Sequence, residues 1–579
     1  MSGAPPARRP RNDVPRYRVW SVMVVFLLFV SAISYRVVGV QVVRSEEFGR
    51  WAVAERTREN VAAARRGEVY DARGVRLATN VPSNRVSAIL SQIDDTRRTA
   101  ELLSPLIGRT VEDIDSALNE PELEWVLLAR RLTPEVSAQI VALGIEGIVL
   151  DPEPSRMYPF GTFASHVLGF TTYDLRGAYG VEGHYDDVLG GSPGKLLGER
   201  DGAGNLIALS QSSWDSPIDG ADIVLTLDSA VQYAIERILA DVVAEQSAAG
   251  GTIIVQHTQS GAILGMASLQ TFDPNTFNLI DDPTIFLNPA ISMVYEPGST
   301  FKSVVMAIGL DDGVVYPDTL FNDDPGYFAV SGHPAITNSQ GIVYGAQTMT
   351  QVLEQSANLG AIFVAQKIGR DRFYQRLVEF GFGYETGVDL QGEEVGILTL
   401  PMGAGWNDVL FYTNSFGQGI AVTPLQLVNA VSALGNGGRL MQPYIVAEVR
   451  GADGTIITQP TVIRQVISEE TSAMMRMMLE SAVLHGTGEL AAVEGYRIGA
   501  KTGTAQIPSP NGGYIEDATI ASIVGFAPIE NPLFTVLVKI DWPKELFSGQ
   551  EVSAPVMARV FEELFLLYGI APFAAQGAP

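Results

Sequence analysis

A chain of 579 residues is longer than one hydrophobic core organises, so at least two folded domains are expected, and 46% hydrophobic against 18% charged residues argues against disorder or a fibre. A formal net charge of −26 repels phosphate backbones and disfavours nucleic acid as a partner. The absence of cysteine removes disulfides, thiolate metal sites and cysteine nucleophiles together, and His166, His184, His257, His333 and His485 show no metal-ligand spacing, which disfavours a metalloenzyme.

In chain order, residues 1–18 hold Arg8, Arg9, Arg11, Arg16 and Arg18 against a single Asp13. Residues 19–35 carry no charge, and the apolar run resumes from Val37 to Val43 past Arg36, which can snorkel. This predicts a spanning helix over 19–43. The arginine excess keeps the N-terminus in the cytoplasm and everything after the helix outside. A cleaved signal peptide ending at Val30-Ser31-Ala32 is the alternative, disfavoured because the apolar run continues past it. Residues 44–64 combine mixed charges with helix formers and predict a linker helix leaving the membrane.

From Arg65 to Asn80, short β-type runs are punctuated by Gly67 and Gly74, and further glycine-rich patches lie around Gly161 and from Gly177 to Gly204. Residues 96–144 between them read as small amphipathic helices, giving a mixed domain that ends near Pro217. Beyond it, residues 221–228 read as a strand and 229–247 as a helix; GGTIIVQHT and GAILGMASL, separated by Gln259-Ser260, read as a hairpin. They open an α+β domain. A last helix is expected near 556–568, with no C-terminal wall-binding repeats after it.

A serine is a weak nucleophile unless a neighbouring base takes its proton, and a lysine one helical turn later serves if its own pKa is lowered. Ser299-Thr300-Phe301-Lys302 has that spacing, and the turn Glu296-Pro297-Gly298 places Ser299 at the start of a helix running through SVVMAIGLD. Spacing alone is weak: Ser192-Pro193-Gly194-Lys195 has the same form, and there proline and glycine predict a turn. Support comes from Ser356-Ala357-Asn358, at the end of TMTQVLEQSANLG, and from Lys501-Thr502-Gly503-Thr504, which opens a strand. Singly, the first reads as a helix-terminal cap and the second as a solvated edge strand. In this order, S-x-x-K, S-x-N and K-T-G are the set used by serine penicillin-recognising enzymes.

On these residues the chain resembles the class B penicillin-binding proteins, over nearly its whole length. Arg66-Gly67-Glu68-Val69-Tyr70-Asp71 with Gly74 and Leu77-Ala78 is similar to the family's first motif, and Arg156-Met157-Tyr158-Pro159 with residues 164–169 to its second. Gly180-Val181-Glu182 with Tyr185, Leu189 and Gly190 is similar to the third, and Ser415-Phe416-Gly417-Gln418-Gly419 and Thr423-Pro424-Leu425-Gln426 match segments around the cleft. There are two departures: Ala72 precedes Arg73 where the family usually has arginine directly after Asp71, and Ala500 replaces the glycine usual before K-T-G.

The resemblance implies an α+β protein with a cytoplasmic tail (1–18), a single transmembrane anchor (19–43), an elongated mixed α/β pedestal or dimerisation domain (44–217) and a transpeptidase domain (218–579), an antiparallel sheet flanked by helices. By the same resemblance Ser299 attacks the D-Ala-D-Ala carbonyl of a peptidoglycan stem peptide, Lys302 accepts its proton, and Ser356 relays that proton to the departing D-alanine. Asn358 holds the substrate amide and orients Lys302. Lys501 depresses the pKa of Lys302 and, with Thr502, Gly503 and Thr504, receives the substrate. Backbone N–H groups of Ser299 and Thr504 form the oxyanion hole. The expected ligands are stem peptides and β-lactams, the expected partner is a polytopic glycosyltransferase of the shape, elongation, division and sporulation family, and no cofactor is required. The compact third motif and Lys501-Thr502-Gly503-Thr504-Ala505-Gln506 point to the septal, FtsI type over the elongation type. The rivals are a serine hydrolase (D,D-carboxypeptidase or β-lactamase), although oxacillinase-type enzymes typically have valine where Asn358 stands, and a penicillin sensor or scaffold.

Overall fold

The computed structural model of the chain describes residues 16–48, 51, 57–199, 213–509 and 512–572. Arg8, Arg9, Arg11 and Asp13 lie outside the described residues, as does the end of the glycine-rich stretch, residues 200–204. Two compact units emerge, one from residues 1–64 and 192–218 and the other from 65–191 and 219–579.

In the first unit an α-helix spans Arg16–Val38 and continues as a π-helical turn over Gly39–Val43, with no buried residue. An 18-residue window of these 28 residues has a mean hydropathy of 2.2, and the helix is long and apolar enough to cross a membrane. Where the linker helix is expected, residues 45–48 are helical but Thr57–Ala62 is a strand. It pairs antiparallel with Gly194–Glu199, from Thr57 opposite Glu199 to Ala62 opposite Gly194, and Gly194–Glu199 pairs in turn with Ser213–Asp215. A partner strand more than a hundred residues away is invisible to local propensity, which is why composition misreads this segment. The control motif corrects likewise: Lys195 lies in the strand, not in a turn. An extended backbone carries residues three apart by about 10 Å, so the Ser192–Lys195 spacing cannot act as a helical pair.

The second unit begins with a six-stranded sheet ordered Gly454–Ile457, Val446–Gly451, Asp222–Leu225, Val69–Tyr70, Arg76–Val81, Ser155–Met157. Three helices, Thr96–Ile107, Val111–Leu118 and Pro134–Ala142, account for the amphipathic stretch, with N-caps from Asp95, Thr110 and Thr133. Between the second and third lies a strand, Trp125–Leu132, that the amphipathic reading misses; it pairs with Asn84–Ile89, and that strand pairs with Ile148–Pro152. Val86, Leu103, Ile114, Leu128 and Ile140 form their shared core.

The motif segments at Arg66, Arg156 and Glu182 converge on one buried ionic cluster. Glu182, with no exposed surface, pairs with Arg66 at 2.6 Å and Arg156 at 2.7 Å, while Arg66 also meets Asp186 at 2.7 Å. Arg156 further donates to the Gly67 carbonyl at 2.7 Å. Carboxylate and backbone acceptors thus replace much of the water these two guanidinium groups lose, while Arg156 Nη2 has no hydrogen-bond partner among the described residues. Despite the intervening Ala72, Arg73 pairs with Asp228 at 2.7 Å, at the N-cap of the Ser229–Glu245 helix.

A five-stranded sheet is antiparallel, ordered Ile263–Leu269, Gly250–His257, Phe534–Asp541, Tyr514–Ala527, Gly499–Pro508, and its first two strands form the expected hairpin. Its alternate residues enter two separate cores. Ile253, Val255, Val536 and Val538 pack with the helices Ser229–Glu245 and Ser553–Leu567; Ile254, Leu537 and Val524 pack with Lys302–Asp311, Pro424–Gly435 and Glu469–His485. Burial on both faces explains the continuous apolar runs, and it leaves Gly499–Pro508 at the sheet's edge, paired only with Tyr514–Ala527.

Candidate active site

Ser299 lies in a 3₁₀ turn, Gly298–Phe301, and the α-helix starts at Lys302, one turn later than the sequence suggests. In a 3₁₀ turn side chains three apart eclipse, which brings Lys302 Nζ to 2.9 Å from Ser299 Oγ. The turn is fixed at both ends. Thr300 Oγ1 donates to the Pro297 carbonyl at 2.7 Å, and Gly298 N donates to the Gly417 carbonyl at 3.0 Å. Phe301, Val304, Val305 and Ile308 are buried in the core behind it.

The second segment arrives between two helices. Met349–Glu354 starts with a capping box made by Thr348 and Gln351, and Asn358 opens Asn358–Ile368. Ser356 between them takes a left-handed backbone (φ 57°), rare for a residue with a side chain. The bend points both its carbonyl and its hydroxyl at Lys302, whose Nζ lies 2.5 Å from Ser356 O and 3.3 Å from Ser356 Oγ. Asn358 Oδ1 accepts from the same amine at 2.7 Å, while its Nδ2 donates to the Thr337 carbonyl at 3.0 Å, which fixes the amide's orientation.

Lys302 is 1% exposed. Burial first, and then the charge of Lys501, holds its pKa well below that of an ordinary lysine. A neutral amine here can donate its two N–H bonds to Ser356 O and Asn358 Oδ1 and direct its lone pair at the Ser299 hydroxyl. That arrangement suits proton abstraction.

Lys501, Thr502, Gly503 and Thr504 lie on the edge strand Gly499–Pro508. Lys501 is fully buried and its pKa is lowered to about 7 by that burial. Its Nζ donates to the Thr502 carbonyl at 3.1 Å and to Thr487 Oγ1 at 3.3 Å. A Cβ on Gly503 would come within 2.8 Å of Thr300 Cγ2 and Ser522 Oγ and 3.0 Å of the Pro297 carbonyl, so glycine is what lets the strand abut the serine turn. Thr504 Oγ1 accepts from Gly549 N at 3.0 Å. Ala500, the departure from the usual glycine, is fully buried in the strand beside Lys501.

Two contributors were not marked by sequence reasoning. Glu296 accepts from Gly419 N at 2.9 Å and from the Tyr514 hydroxyl at 3.0 Å, tying the residues before Ser299 to the 415–419 segment and to the strand Tyr514–Ala527. Thr487 follows the Glu469–His485 helix and meets both Lys501 and Thr502. The only local signal for it was the flanking pair Gly486 and Gly488. Among the described residues no group of three or more histidine or carboxylate side chains gathers as a metal would require. His166 is a core residue, its pKa pushed down to about 4 by burial, with Nε2 3.0 Å from the Ile285 carbonyl.

The chain and its fold are similar to known proteins. Residues 251–562 match the penicillin binding protein transpeptidase domain, and 61–225 the penicillin-binding protein dimerisation domain. Stage V sporulation protein D of Bacillus subtilis is 35% identical over 97% of this chain and 88% of its own length; the peptidoglycan D,D-transpeptidase FtsI of Escherichia coli is 30% identical over 94% and 91%. A peptidoglycan synthetase from Bifidobacterium adolescentis superposes with a TM-score of 0.71 at 27% identity, covering 90% of this chain and 98% of that one. Penicillin binding protein 3 of Mycobacterium tuberculosis, complexed with aztreonam, superposes at 0.69 and 25%, with 89% and 98% coverage. The chain belongs to the penicillin-binding transpeptidase family.

Proposed function

We propose that this protein is a membrane-anchored serine peptidoglycan D,D-transpeptidase acting in septal wall synthesis and inhibited covalently by β-lactams. The observation that carries the reading is the buried Lys302 amine, held at once by Ser299, Ser356 and Asn358. Ser299 Oγ bonds to the carbonyl carbon of the penultimate D-alanine as its proton passes to Lys302. The C–N bond to the terminal D-alanine then breaks, and the leaving amine takes a proton through Ser356. A second stem peptide's amine attacks the acyl-serine and releases Ser299 as a cross-link forms. Lys501, Thr502 and Thr504 hold the carboxylate, with Gly503 letting the substrate lie along the edge strand as an added strand. Backbone N–H groups of Ser299 and Thr504 stabilise the oxyanion, a contribution of about 3 kcal/mol for one donor.

In this reading residues 1–18 are cytoplasmic, 19–43 anchor the protein, 44–217 form a pedestal and 218–579 the catalytic domain outside the membrane. The pedestal and anchor contact a polytopic glycosyltransferase of the shape, elongation, division and sporulation family. The septal assignment is supported by relatives named FtsI; 35% identity to a protein named for stage V of sporulation favours use at that stage as the second reading. The test is full-length protein in detergent with fluorescent penicillin, followed by peptide mapping by mass spectrometry. An adduct on Ser299, absent from Ser299→Ala, is expected. Folded protein without one refutes the catalytic assignment, and release of hydrolysed product in preference to an amine-coupled one favours the hydrolase.

A further inference from the structure

Lys501 and Thr502 are held from outside their own strand by one residue. Thr487 Oγ1 lies 3.3 Å from Lys501 Nζ and 2.7 Å from Thr502 Oγ1. The other acceptors of Lys501 Nζ among the described residues are the carbonyl and hydroxyl of the neighbouring Thr502, at 3.1 and 3.5 Å. A lysine ammonium brings three protons and no acceptor, so a fully buried one needs side-chain or backbone oxygens to replace water. Thr487 supplies the one that comes from another segment.

That segment is itself anchored to the helix leading to Ser356. Thr487 N donates to the Glu354 carbonyl at 3.0 Å, and the preceding residue must be glycine, since a Cβ on Gly486 would lie 2.4 Å from that same carbonyl oxygen. Ser481 Oγ holds the Glu354 carboxylate at 2.5 Å. One short loop therefore ties the segment bearing Ser356 and Asn358 to the strand bearing Lys501 and Thr502.

A hydroxyl can donate once and accept twice, and Thr487 Oγ1 accepts from both Thr502 Oγ1 and Lys501 Nζ. The shared acceptor fixes the placement of both donor groups, and an ammonium at Lys501, bonded to Thr487 and the Thr502 carbonyl, keeps a third N–H for an anion. We propose that Thr487 is a positioning residue that aims Lys501 and Thr502 at the carboxylate of the acyl donor, and so sets the preference for carboxylate-bearing substrates and inhibitors. The inference rests on the transpeptidase reading, in which those two residues receive that carboxylate.

The test compares benzylpenicillin, which carries the carboxylate, with its methyl ester, which does not, as acylating agents of full-length protein in detergent, reading the Ser299 adduct over time. Thr487→Val keeps shape and removes the hydroxyl; Thr487→Ala gives the same readout if valine packs badly; Thr487→Ser restores the hydroxyl. The acid's acylation rate is expected to fall about tenfold to a hundredfold in the valine variant, the span of one hydrogen bond to a charged group. The ester's rate is expected to stay at the wild-type level, and serine to recover the preference for the acid. Equal losses for acid and ester would reduce Thr487 to a packing residue and overturn the inference, as would an unchanged acid rate. Wild-type protein that forms no Ser299 adduct would overturn the catalytic reading itself, a result distinct from any change among the Thr487 variants.

Discussion

Asn358→Asp tests whether Lys302 works as a neutral base. The substitution is nearly isosteric and places a carboxylate oxygen where Asn358 Oδ1 now sits, 2.7 Å from Lys302 Nζ. In the wild-type site burial, reinforced by Lys501, disfavours the ammonium form of Lys302. A carboxylate at hydrogen-bond distance acts in the opposite direction and favours the ammonium, with a displacement of about one to three pH units for an opposite charge this close. A protonated Lys302 cannot take the Ser299 proton. The variant's acylation by penicillin should therefore fall at neutral pH, about tenfold for each pH unit by which the limb moves, and recover as pH rises. The assay is the second-order rate of Ser299 adduct formation across pH, with full-length protein in detergent. A rate lowered by the same factor at every pH would show that Asn358 acts on substrate geometry alone, and an unchanged profile would refute the role of Lys302 as the base.

Two further perturbations probe the scaffold. Gly503→Ala drives a methyl group to 2.8 Å from Thr300 Cγ2 and Ser522 Oγ, so the edge strand must move away from the serine turn. Overpacking of this kind costs about 1–3 kcal/mol, and acylation should be lost well before melting temperature drops severely; unaltered acylation would mean the strand is free to shift. Glu182→Ala leaves Arg66 and Arg156 buried without their shared carboxylate and should destabilise the protein by about 3–5 kcal/mol, read by chemical denaturation. The fraction that remains folded should still acylate at the wild-type rate, because the Glu182 side chain bonds, among the described residues, to Arg66, Arg156 and Tyr158, away from Ser299.

Much of the site was legible because its chemistry is written in contiguous tripeptides. Ser299 with Lys302, Ser356 with Asn358, and the Lys501 segment each carry their spacing within three or four consecutive residues, and the fold brings the first two sets within hydrogen-bond distance. The two-faced apolar strands and the hairpin at Gln259-Ser260 were legible for the same local reason. What escaped were features decided by distant partners. Thr57–Ala62 is a strand because Gly194–Glu199 pairs with it, and Trp125–Leu132 because Asn84–Ile89 does. Thr487 and Glu296 have ordinary local surroundings, and only tertiary packing sets one against Lys501 and the other between Gly419 and Tyr514.

The two buried lysines explain why so much structure converges on so few atoms. Removing an ammonium from water is unfavourable, and two in one cleft repel, so the folded state must either supply acceptors or release a proton. This protein does both, differently for each. Lys302 is enclosed by Ser299, Ser356 and Asn358, and burial, then the charge of Lys501, holds its pKa well below the ordinary value, which favours the neutral amine that can take a proton. Lys501 is lowered to about 7 by burial and keeps a hydroxyl and a carbonyl as partners, which replace water around its ammonium form. Two lysines made unequal by their surroundings can divide the work, one as base and one as cation. The division depends on acceptors from three separate segments holding their places, so tight packing of the serine turn, the edge strand and the 486–488 loop is a chemical requirement as well as a structural one.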